Sequence, residues 1–89
     1  MYSVEVQIVN KLGLHARPSA KLTQLATRYR ADVWLSRNGR KVNGKSIMGV
    51  MMLAAARGSK LTIQAEGPDE REAVVALSRL IADGFGEEI

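Results

Sequence analysis

Eighty-nine residues suffice for one hydrophobic core, because two would leave each half below the size that usually folds unaided. With no cysteine and a single histidine, disulfides, thiolate nucleophiles and cysteine- or histidine-cluster metal sites are excluded. The net charge of +4 is uneven: residues 1–45 hold nine Lys/Arg and two acids, net +7, whereas residues 46–89 hold four and seven, net −3. Such asymmetry directs the first half toward an anionic partner, whether phosphate, an acidic protein surface or nucleic acid. Apolar residues, at 46%, are ample for a core, and the longest apolar run, residues 47–56, is far short of the ~20 needed to span a bilayer. No basic region precedes an apolar stretch at the N-terminus, so a cytoplasmic address without membrane insertion is expected.

Val4, Val6 and Ile8 alternate with Glu5 and Gln7, which predicts a half-buried strand over about 3–9. A loop containing Gly13 follows. Leu22, Leu25, Ala26 and Tyr29 then form an amphipathic helical stripe, with Pro18 in the first turn, where its missing N–H costs nothing. On the opposite face Arg17, Lys21, Gln24 and Arg28 line one basic ridge. Val33, Trp34 and Leu35 open a second strand, Asn38-Gly39 signals a tight hairpin, and Arg40 to Val42 returns as a third.

After a turn at Asn43-Gly44, Ser46 stands where its hydroxyl can N-cap a short helix over Ile47 to Leu53. Leu61, Ile63 and Ala65 make a fourth strand, and Gly67-Pro68-Asp69-Glu70 supplies a turn and acids for the first turn of a last helix. Ala73, Leu77, Leu80 and Ile81 are the stripe of that helix, and Gly84 is its stop. The order β-α-β-β-α-β-α, without linkers or repeats, predicts a single α+β domain over 1–89. Helices cover one sheet face, and Glu5, Gln7, Ser36, Thr62 and Gln64 wet the other. Strand order does not follow from the pattern.

The lone histidine, His15, sits just before the first helix, with Arg17 two residues on. A helix N-terminus offers free N–H groups and positive potential, which bind anions and favour a neutral, nucleophilic imidazole. A phosphoryl group transferred to His15 would land among backbone donors beside a guanidinium. Residue type alone does not separate this from an ordinary loop histidine. A Ser-His-Asp triad has no recognisable motif here, and a chain this short leaves little room for a substrate cleft. On spacing alone Ser46 reads as a plain cap ahead of the alternative, a phosphosite whose added charge would lie near Lys45. Met48, Met51 and Met52 sit with Ile47, Val50 and Leu53 on a short helix with more apolar surface than one buried face hides, so part of the cluster is expected to be exposed; the residues fit a core helix and an adaptable docking patch equally well. A nucleic-acid module is a weaker alternative, since aromatics are only 4% and no strand carries a base-stacking run.

Gly13-Leu14-His15-Ala16-Arg17-Pro18 and Asn43-Gly44-Lys45-Ser46-Ile47-Met48-Gly49 together resemble the two signature segments of the HPr family. These are the histidine-containing phosphocarriers of the bacterial phosphoenolpyruvate-dependent phosphotransferase system. The resemblance covers essentially the whole chain. It implies an open-faced β-sandwich, a four-stranded antiparallel sheet covered by three helices. It also implies a carrier rather than a turnover enzyme, needing no cofactor or metal. By that resemblance His15 accepts phosphate through Nδ1 from enzyme I and passes it to enzyme IIA proteins in sugar uptake. Arg17, with the N–H groups of Ala16 and Arg17, cradles the phosphate, and Pro18 fixes the helix start. Ser46 matches the position modified by HPr kinase/phosphorylase, and Ile47, Met48, Met51 and Met52, framed by Arg17, Lys21 and Arg28, match the docking patch. A monomer is expected. The same motifs also fit a nitrogen-related or purely regulatory carrier. Ala16 departs from the hydroxyl residue many relatives carry, leaving the cradle to backbone donors.

Overall fold

A computed structural model describes residues 1–87. Its elements are β1 (Tyr2–Gln7), α1 (Ala16–Ala26), β2 (Asp32–Arg37), β3 (Arg40–Asn43), α2 (Ile47–Met52), β4 (Lys60–Glu66) and α3 (Glu70–Ala82), followed by a 3-10 turn at Gly84–Gly86. The strands form one antiparallel sheet in the order β1-β4-β2-β3. β1 and β2 are therefore not neighbours: α1 carries the chain across the sheet and leaves a slot that β4 later fills, pairing Ile63 with Val4 on one side and Leu35 on the other.

Period-two patterning explains why only one face is covered. Leu61, Ile63 and Ala65 of β4 and Val33 and Leu35 of β2 are buried under the helices, where they meet Leu22, Val74, Leu77 and Ile81. Glu5 and Gln7 are exposed on the other face, with Ser36, Thr62 and Gln64 half-buried there. Trp34 also lies there, with the Lys41 ammonium 4.9 Å from its ring centroid. The β2–β3 hairpin turns through Asn38 and Gly39 at φ of 51° and 81°, the left-handed pair that the Asn-Gly signal demands.

Three boundaries differ from expectation. The chain beyond Gln7 leaves the ladder, although Ile8 still bonds Ser59 and Gly58 through its backbone. α1 ends at Ala26, short of Arg28 and Tyr29, because the last turn tightens: Arg28 N–H donates to Leu25 O and Tyr29 N–H to Ala26 O. α2 stops at Met52, since Ala54 enters the left-handed region at φ 51°.

Gly84, at φ 64°, is the expected stop of α3. Phe85, which follows, is unanticipated in the core: it is 1% exposed and left-handed at φ 59°. Backbone strain of about 1–3 kcal/mol for a non-glycine residue there is offset by roughly 1.5–3 kcal/mol from burying the ring.

Candidate functional site

His15 is the N-cap residue of α1, in extended conformation. Its own N–H donates to Gly13 O at 3.0 Å, and its carbonyl accepts the first helical bond from Ser19 N–H at 3.1 Å. Of the four N–H groups a helix start leaves without helical partners, that of His15 is used by Gly13 and Pro18 has none. Ala16 and Arg17 therefore supply the open donors. Asn10 fixes the preceding turn, its Nδ2 donating to Gly13 O at 2.8 Å, while Leu14 N–H donates to Ala55 O at 2.9 Å. That last bond ties the histidine loop to the segment leaving α2.

His15 opens onto a cleft of about 570 Å³, larger than the chain length led one to expect. Lys11, Arg17 and Lys21 bring three cations to its wall, and Leu12 stands exposed at its edge. Lys21 has a second task besides lining the ridge: its ammonium donates to Phe85 O at 2.7 Å and anchors the C-terminal turn beside the histidine. Arg28 does not line the cleft. It lies beyond the helix end, eleven residues from Arg17 and thus on the order of 16 Å along the axis.

Sequence reasoning missed Glu87. Its Oε1 accepts from Asn10 Nδ2 at 3.1 Å, and its Oε2 stands 3.4 Å from His15 Nε2, a ring nitrogen enclosed by protein. Seventy-two residues separate the pair, and no local pattern announces it. The field of this carboxylate at the ring is opposite in sign to that of the helix end.

Ser46 N-caps α2 as expected, its Oγ accepting from Gly49 N–H at 3.1 Å. Lys45 does not face it as a free charge, because its ammonium is bound to Tyr29 O at 2.8 Å. Along α2, Val50 is buried while Ile47, Met48, Met51 and Met52 are 42%, 70%, 37% and 59% exposed, so the helix is divided rather than enclosed. Two cations that sequence reasoning did not single out border this patch. Arg37 donates to Leu53 O at 3.1 Å and Arg40 to Met52 O at 3.2 Å, complementing the negative end of α2. Among the described residues no helix is long and apolar enough to cross a membrane.

Residues 2–83 match the family model described as the PTS HPr component phosphorylation site. The chain belongs to the HPr family. It is 61% identical over 87 residues to phosphocarrier protein HPr of Cupriavidus necator, covering 98% of each chain. Its fold superposes on the crystal structure of HPr from Thermoanaerobacter tengcongensis with a TM-score of 0.96 at 46% identity, covering all of both chains. A crystal structure of Crh, the Bacillus subtilis catabolite repression protein, is described as a swapped, intertwined dimer. It matches at TM-score 0.77 and 43% identity over 94% of this chain and 97% of that one. The open-faced sandwich is thus the HPr fold, and the protein is an HPr-type phosphocarrier of the phosphotransferase system.

Proposed function

We infer that His15 accepts a phosphoryl group from phosphorylated enzyme I and passes it to enzyme IIA proteins in sugar uptake. The observation that carries this reading is the enclosure of Nε2 against the Glu87 carboxylate at a helix start with two open N–H groups. A lone pair on Nε2 would face carboxylate lone pairs, so the proton belongs on Nε2 and the nucleophilic pair on Nδ1. In acceptance that pair forms the N–P bond while the donor's bond to phosphorus breaks, its electrons leaving with the donor. Ala16 and Arg17 N–H groups and the Arg17 guanidinium take the phosphoryl oxygens, and Pro18 sets the helix start that aims them.

A carrier must also release its cargo. Helix-end interactions worth ~0.3–2 kcal/mol suit that better than a buried clamp, and the partners supply the rest of each active site, so no turnover by this chain alone is needed. Ile47, Met48, Met51 and Met52 form the reusable docking patch, with Lys21 and Arg28 steering acidic partner surfaces. Ser46 is the regulatory phosphosite for HPr kinase/phosphorylase, where added negative charge opposes docking to acidic partners. In this reading the protein is one cytoplasmic, monomeric unit over residues 1–89, and needs no cofactor.

A chase experiment tests the sequence of transfers. The protein is labelled with radioactive phosphoenolpyruvate and enzyme I, freed of both, and mixed with an enzyme IIA protein. Movement of acid-labile label onto the IIA supports the reading; label that stays put with every sugar-branch IIA contradicts it.

A further inference from the structure

We propose that Lys11 and Leu12 form a second docking element beside His15, a rigid tip on which Leu12 enters an apolar socket of the phosphoryl-donating protein and Lys11 meets a carboxylate at the socket's edge. The inference rests on His15 being the phosphoryl acceptor.

The tip is a tight turn clamped at both ends. Gly13 N–H donates to Asn10 O at 3.2 Å, which makes Lys11 and Leu12 its two corner residues, and Asn10 Nδ2 returns a bond to Gly13 O at 2.8 Å. Asn10, Gly13 and Leu14 are all buried, and Leu14 N–H is fixed to Ala55 O, so the corners project from a base embedded in the fold. Leu12 is 71% exposed, the most exposed large apolar side chain among the described residues. A lone exposed leucine is ordinary on a protein surface, and its place is what gives this one a role. It stands on the rim of the cleft onto which His15 opens, and among the described residues α2 contributes nothing to that cleft. Leu12 is therefore an apolar element apart from the methionine patch.

Transfer chemistry brings a partner over that rim. The donor's phosphorus must come within ~3–3.5 Å of the ring nitrogen, so the protein that carries it closes over the cleft and over Leu12. A side chain already held by a clamped turn loses little freedom on burial, the condition under which one apolar anchor adds most to affinity. Lys11 supplies the sign of the surroundings. Lys21 spends its ammonium on Phe85 O, whereas among the described residues the Lys11 ammonium has no hydrogen-bond or ion-pair partner, leaving its charge for the partner.

The test measures phosphorylation of the full chain by phospho-enzyme I. Leu12→Asn, which keeps a residue suited to a turn, should raise KM roughly tenfold and leave the maximal rate within about twofold, because Leu12 touches the partner and not the reacting atoms. Lys11→Gln should weaken the dependence of kcat/KM on ionic strength. In the unaltered chain with labelled leucine methyl groups, the Leu12 resonances should shift on titration with enzyme I, a readout that needs no substitution. Parent-like KM in folded Leu12→Asn, or Leu12 methyl groups unmoved at saturating enzyme I, overturns the proposal alone. So does a fall in maximal rate with KM unchanged, which would put Leu12 in the phosphoryl environment. Salt dependence in Lys11→Gln equal to the parent's overturns the carboxylate edge. A parent that carries its label elsewhere than His15 overturns the acceptor reading and this proposal with it.

Discussion

Gly13 and Ala55 approach so closely that a Cβ built on Gly13 would stand 2.3 Å from the Ala55 carbonyl oxygen and 2.9 Å from Ala56 Cα. Gly13 also holds φ at 68°, a conformation that a side chain disfavours. The two backbones are neighbours because Leu14 N–H must reach Ala55 O to dock the histidine loop. Gly13→Ala should therefore cost roughly 2–5 kcal/mol, combining left-handed strain with overpacking against backbone that cannot give. Urea denaturation measures the loss, and slower phosphoryl acceptance should accompany it, since His15 is two residues away. A variant as stable as its parent would show that the loop can relax.

The Ser46 hydroxyl satisfies Gly49 N–H, one of the orphan donors at the start of α2. Ser46→Ala should lower stability by about 1 kcal/mol, whereas Ser46→Asp, another good N-cap, should preserve it. The same Asp variant should still slow transfer from enzyme I, because its charge enters the proposed docking surface. Separate measurement of unfolding and transfer tells the cap from the switch; an equal loss of stability in both variants would contradict the cap.

Met48 is the most exposed residue of the α2 patch, so its replacement removes little from the core. Met48→Glu should leave the unfolding midpoint unchanged and reduce the transfer efficiency from enzyme I roughly tenfold, through lost apolar contact and repulsion from an acidic partner surface. Surface-based binding assays with enzyme I check the direction. Unaltered binding would move the docking surface elsewhere.

Asp69 bridges the α1–β2 connection to the start of α3. The Arg30 N–H at 2.9 Å, and with it the Ala31 N–H at 2.8 Å, holds the carboxyl below its ordinary range. Glu70 is likewise lowered, first by the Gly67 N–H and then by the Met1 ammonium 3.2 Å away. Both groups are more acidic folded than unfolded. Their stabilisation is therefore complete above the ordinary carboxylate range and lost as pH falls through the lowered folded values. The urea midpoint should be level from about pH 7 to 5 and decline below that. Asp69→Asn should flatten the acid limb; an unchanged limb would assign the decline to other carboxyls.

Local periodicity made much of this architecture legible. The alternation of Val4 with Val6, and of Leu61 with Ile63, marks strands because a half-buried strand repeats every two residues. Asn38-Gly39 and Ser46 were readable for the same reason: a turn or cap is decided within four residues. His15, Ala16, Arg17 and Pro18 meet at one helix start because they are contiguous. What was hidden is what the tertiary fold brings together. Glu87 reaches His15 only after Phe85 turns the tail into the core, Asp69 reaches Arg30 across four intervening elements, and Arg37 and Arg40 reach the end of α2 from the hairpin. The insertion of β4 between β1 and β2 is equally non-local, since no strand carries a label for its neighbour.

The most direct test of the phosphocarrier assignment to His15 compares the parent with His15→Ala. Each is incubated with phosphoenolpyruvate and enzyme I and analysed by intact-mass spectrometry under alkaline conditions that preserve phosphohistidine. The parent should gain one phosphoryl group, lost on brief acid treatment, and His15→Ala should gain none while remaining folded. Equal labelling of the two proteins would place the phosphoryl group on another residue and contradict His15 as the acceptor.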